Sequence, residues 1–167
     1  MRRGTTHNIA FGGLMAALAV VVMCLIGLIP LATFVCPMIC ILICAIVYKN
    51  CGCKISCAWY GAVALLSIFF APDKEGALIF LFLGYYPILK IKFDKYNKAL
   101  SLLYKVLYFN ASIVLVYVLL LHTLGLSDLT SEYQTFGRWF GIFLAFLGNI
   151  CFALLDFILQ HVMVGGK

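Results

Sequence analysis

Residues 9–29 read IAFGGLMAALAVVVMCLIGLI, an apolar run without one charged side chain, preceded by Arg2 and Arg3 and closed by Pro30. A helix needs about 20 apolar residues to cross a hydrocarbon core of about 30 Å. The run is long enough to span. Its basic flank marks the cytoplasmic side, because positive charge beside an apolar segment resists translocation. Outward from it, further stretches of the same kind cover 31–48, 57–71, 76–89, 102–124 and 136–161. Ten of the twelve basic residues fall in alternate connecting segments: Arg2 and Arg3, Lys49 and Lys54, then Lys90, Lys92, Lys95, Lys98 and Lys105, and finally Lys167. The intervening segments hold Asp73, Glu75, Asp128 and Glu132, with only Lys74 and Arg138 as basic residues. This alternation predicts an all-α integral membrane protein of the cell (plasma) membrane. It forms one domain over residues 1–167, a six-span bundle with both termini cytoplasmic.

Composition agrees. At 65% hydrophobic, 11% charged and a mean hydropathy of +1.12, the chain lacks the polar surface of a water-soluble globule. Six spans leave no room in 167 residues for an ATPase, a kinase or another extramembrane module. The net charge of +6 sits beside the spans, where it meets anionic lipid headgroups rather than nucleic acid. Arg2-Arg3 before an apolar run resembles a signal peptide, but the run is longer than an ordinary h-region and no small-x-small cleavage site follows. The first span is expected to be retained.

Two features interrupt the spans. Pro37, in the first half of the second, removes a backbone donor and should kink the helix or mark a re-entrant start. The loop from Lys90 to Lys98 alternates basic with apolar residues and is expected to lie on the headgroups.

Eight cysteines look like a chemical signal. Cys36, Cys40 and Cys44 recur every fourth residue and form one helical stripe, which reads first as packing by small buried hydrophobes. Cys51, Cys53 and Cys57 match no standard zinc spacing, and thiols on the cytoplasmic side are kept reduced. No metal site or other cofactor is expected. No zincin helix, Gly-x-Ser-x-Gly elbow, P-loop or carboxylate-rich helix pair occurs, so the chain does not read as an enzyme.

Polar groups inside spans cost free energy and are more informative. Lys105 lies one turn inside the fifth span and Asp156 about as deep in the sixth. A short outer loop makes these helices antiparallel neighbours, so a Lys105–Asp156 structural pair is expected; the alternative is that Lys105 snorkels to the cytoplasm. Asn110 and Asn149 fall nearer the middle of the same helices, where they either bond across helices or line a cavity. On the outer side stand Asp73, Lys74, Glu75, Glu132, Arg138 and Trp139, as a binding surface or as solvated loops. Gly12, Gly13, Ala16 and Ala17 give two overlapping small-x3-small pairs on the first span, suited to close helix approach.

The stretch 8–22, NIAFGGLMAALAVVV, resembles the opening helix of the substrate-binding S components of energy-coupling factor transporters. The spacing Pro30…Pro37 and the run into Gly52 are similar to related six-span bacterial membrane proteins. The resemblance implies a bundle that captures a vitamin or similar micronutrient from outside. A partner membrane subunit and two ATPases would supply energy. It implies docking through Ala-x3-Ala on the first helix, for which Gly13-x3-Ala17 or Gly12-x3-Ala16 stands here. It also places the ligand among the outer loops and the last three helices, which points to Asp73, Lys74, Glu75, Glu132, Arg138, Trp139 and Asn149. The other reading is a non-transporting helical scaffold or partner subunit of a membrane complex.

Overall fold

The computed structural model describes residues 2–28, 32–93, 98–124 and 146–163, and every regular element among them is helical. Helix α1 spans Arg2–Cys24 and tightens into a 3-10 turn at Leu25–Leu28. Helices α2 (Ala32–Cys51) and α3 (Cys53–Phe70) follow, joined through Gly52 alone. Then come α4 (Lys74–Leu83), α5 (Tyr86–Phe93), α6 (Lys98–Leu124) and α7, described over Phe146–Met163.

Gly52 takes φ 82°, a left-handed conformation open to glycine and unfavourable for side-chain-bearing residues. Its N–H donates to the Tyr48 carbonyl at 2.9 Å, and its carbonyl accepts from Ser56 at 3.1 Å. One residue therefore ends α2 and starts α3. That is why α3 begins at Cys53, before the expected 57. Pro37 neither ends nor re-enters α2, which runs on through it. As the sixth residue of the helix, it deprives only the Thr33 carbonyl, in the first turn, of its donor.

Asp73 caps α4 by accepting from the Glu75 N–H at 2.9 Å. Lys74 turns back and donates to the carbonyls of Ile68 (2.8 Å) and Ala71 (3.1 Å), at the end of α3. The sharp α3–α4 turn is thus sealed at both helix termini.

Five described helices are long and apolar enough to cross a membrane: Thr6–Cys24, Thr33–Cys51, Cys53–Phe70, Leu100–Leu120 and Phe146–Met163. They are compatible with a multi-pass membrane protein. The fourth expected span is not one continuous helix. It is divided into α4 and α5 by a turn at Gly84 and Tyr85, and neither piece alone is long enough to cross. The first ten residues of the sixth expected span, 136–145, lie outside the described residues; its helix continues to Met163.

Helix α2 is central, packed by α1, α3, α4 and α5, and its Cys40, Ile41, Cys44, Ala45 and Val47 are fully buried. Outward faces are strongly apolar: Phe69 is 76% exposed, Leu14 68% and Phe146 66%. Ser56, Ser67, Lys90, Ser101 and Ser112 are buried instead. Apolar surface outside with polar groups inside suits a hydrocarbon surround.

Candidate functional site

The polar interior lies where α5, α6 and α7 meet. Helices α6 and α7 run antiparallel, and three contacts set their register. The Asn110 and Asn149 amides bond reciprocally, at 3.1 and 3.3 Å. The Phe109 and Phe152 rings stack with centroids 4.6 Å apart. The Lys105 ammonium donates to Asp156 Oδ2 at 3.1 Å. Each step back along α6 meets a step forward along α7. Apolar stacking between two polar pairs holds the helices in this one alignment.

Asp156 is also engaged by α5. Tyr86 donates its hydroxyl to Asp156 Oδ1 at 2.5 Å. Lys90 donates to the same oxygen and, at 2.8 Å, to the Asp156 backbone carbonyl. Tyr86 is fully buried and Lys90 is 1% exposed. On a helix, residues four apart share a face, so Tyr86 and Lys90 reach α7 together. The Tyr86 ring packs on Phe152 (centroids 4.8 Å apart) and on Tyr108 (6.0 Å), so aromatic rings line one side of the ion cluster. Lys90 therefore does not lie on the headgroups as its place in a basic, apolar-alternating segment suggested. The local cue was Tyr86-x3-Lys90, whose spacing places both side chains on one face, with Pro87 in the first turn, where a helix tolerates it.

The break between α4 and α5 frees carbonyls that a continuous helix would satisfy. Gly84 N–H still donates to Phe80 at 2.7 Å, and Ile88 N–H donates to Tyr85 at 3.1 Å. The Leu81 carbonyl accepts from the Tyr60 hydroxyl of α3, and the Phe82 carbonyl from the Tyr108 hydroxyl of α6. Glycine at 84 follows from the crowding: a Cβ there would meet the Phe80 carbonyl oxygen at 2.5 Å and the Phe80 and Tyr60 rings at 2.9 Å.

The residues expected at the outer site are not brought together as one described cluster. Asp73 and Lys74 serve the helix termini described above, and Glu75 accepts from the Tyr117 hydroxyl at 3.3 Å. Asn149 faces Asn110. Glu132, Arg138 and Trp139 lie outside the described residues.

The small residues of α1 divide between two faces. Gly12 is buried, with room for a Cβ only in contact with Ile55 of α3 at 3.4 Å, and Ala16 packs against the core beside it. Gly13 has open space around its Cβ position, and Ala17 is exposed.

The cysteine stripe on α2 faces its neighbours. Cys40 Sγ donates to the Ala19 carbonyl at 3.5 Å, and Cys44 Sγ lies 3.6 Å from Ser56 Oγ. Near the α2–α3 turn, Cys51 Sγ donates to the Asn8 carbonyl at 3.4 Å. Among the described residues no group of three or more His, Cys, Asp or Glu side chains is arranged to hold a metal ion.

No protein-family model, curated protein or solved structure matches the chain.

Proposed function

We propose that the chain is the membrane-embedded binding subunit of a small-solute transporter, of the vitamin or micronutrient type. In this reading it crosses the cell membrane six times, α4 and α5 together making the fourth crossing, with both termini cytoplasmic. It takes its solute from the outer face, where Arg138 and the acidic residues Asp73, Glu75 and Glu132 supply polarity. Energy comes from a partner membrane subunit with two ATPases. The observation that carries the reading is the unequal division of polar chemistry. Helices α1–α3 carry buried hydroxyls and thiols (Ser56, Ser67, Cys40, Cys44) but, among the described residues, no buried charge, whereas α4–α7 hold a broken helix, a paired amide and a buried ion cluster. Irregular backbone and charge at membrane depth are expensive, and they occur where a protein handles a solute or an ion. The last three helices are also where the resemblance to energy-coupling factor S components puts the ligand.

Purification from the native membrane in mild detergent, with partners identified by mass spectrometry, tests this directly. Recovery with a membrane subunit and two ATPases supports the reading, and Arg138→Ala should then lose solute binding in a vitamin screen. Recovery alone removes the energised-subunit idea.

A second reading, a helical scaffold within a membrane complex, is favoured by one specific arrangement. Asp73 and Lys74 already cap helix termini, while Gly13 and Ala17 leave an open small-residue face. Recovery with a membrane complex lacking ATPases would select it.

A further inference from the structure

We propose that α5 is a hinged segment, latched in place by Asp156 of α7, whose backbone can swing about Tyr85 while α4, up to Gly84, stays fixed. Three observations meet here. The first is that the two halves of the broken helix are satisfied separately. The carbonyls freed at the end of α4 are taken by Tyr60 and Tyr108, on α3 and α6, and not by α5. Pro87 has no N–H to offer back across the break. Rotating α5 therefore need not unmake the hydrogen bonds that close α4.

The second is how α4 is anchored. Asp73 fixes its start, Gly84 is wedged against Phe80 and Tyr60 at its end, and Gly76 sits close against Ile26 and the Thr33 carbonyl. A segment crowded at both ends is a fixed post.

The third is how α5 is held. Its eight described residues are too few to be stable as an isolated helix. Tyr86 and Lys90, one turn apart, both end on Asp156, and Lys90 grips the backbone carbonyl of that residue as well. Lys105 approaches the other carboxylate oxygen from α6, so one carboxylate ties three helices. Charge-assisted bonds of this kind are directional and are lost together when the shared acceptor is removed. The segment then relies on its packing against α2 and on the contacts of Tyr86 with Phe152 and Tyr108.

Amide hydrogen exchange on the full-length protein in detergent, resolved by segment, reads the latch without knowledge of any ligand. In Asp156→Asn the amide oxygen can still accept but without charge assistance, and exchange across residues 88–93 should rise about tenfold. Residues 74–83 and the α2 core should keep their protection. Lys105→Met removes the α6 contact but leaves Lys90 and Tyr86 on Asp156, so α5 should stay protected. Unchanged exchange over 88–93 in Asp156→Asn overturns the latch, because the charge of the carboxylate is then not what holds α5. A uniform rise across the bundle overturns it too, since Asp156 would be supporting the whole fold rather than α5. Neither result depends on whether the protein binds a solute.

Discussion

At the scale of single residues, Asp156 is the acceptor on which Tyr86, Lys90 and Lys105 converge, and its loss has consequences the others do not share. Asp156→Leu leaves Lys90, at 1% exposure, without its carboxylate. Removing one partner of a buried ion pair typically costs about 3–5 kcal/mol. Lys105→Met removes an ammonium at the margin of the cluster and leaves the carboxylate with two donors, so its cost should be about 1–2 kcal/mol. Thermal unfolding in detergent should rank Asp156→Leu well below Lys105→Met. Equal losses would mean that Lys90 sheds its charge when the carboxylate goes. Glycines give a sharper contrast. Gly84→Ala forces a methyl to within 2.5 Å of a carbonyl oxygen and should cost about 2 kcal/mol. Gly61→Ala meets nothing within 4 Å and should be neutral or slightly stabilising.

At the scale of elements, the tyrosine caps decide whether the α4–α5 segment tolerates its break. A carbonyl left without a donor in an apolar surround costs about 1–3 kcal/mol. Tyr108→Phe and Tyr60→Phe keep the ring packing and remove only the donated proton, so each should lower stability by about that amount. The loss should appear first as faster exchange near the end of α4. Stability equal to the parent protein would show that water reaches these carbonyls. The break was poorly legible in the sequence for a physical reason. Hydropathy registers what a segment is surrounded by, and 76–89 is apolar throughout its length whether its helix is continuous or split. Only Gly84 and Pro87 hinted at it, and what makes them necessary is crowding from Phe80 and Tyr60, a tertiary fact. The helices at 31–48 and 102–124 were easier to read because apolar length suffices to define them. Lys105 and Asp156, each about one turn inside its expected span, could be set opposite one another, and they bond across α6 and α7. Lys90 was hidden because an alternating basic segment looks the same at a headgroup surface as on a short buried helix.

At the scale of the whole molecule, the two overlapping small-residue pairs of α1 separate folding from assembly. Gly12 lies against Ile55 of α3, and Gly13, one residue on, lies against nothing. Successive residues on a helix point about 100° apart, so one pair can serve the interior while the other faces outward. Gly12→Leu has to displace α3 from α1 and should lower the unfolding temperature, through overpacking of about 1–3 kcal/mol. Gly13→Leu adds a side chain to a face already carrying exposed Leu14 and Leu18, so the isolated protein should unfold as the parent does. In the native membrane the outcomes should invert. If another membrane subunit approaches α1 through its small residues, Gly13→Leu should abolish co-purification of that subunit although its fold is intact. Comparing unfolding temperature with partner recovery for the two variants checks both halves at once. A Gly13→Leu protein that is stable and still recovered with its partner would move the docking surface off α1, and Ala58 and Ala62, an outward small-x3-small pair on α3, would be the next face to block.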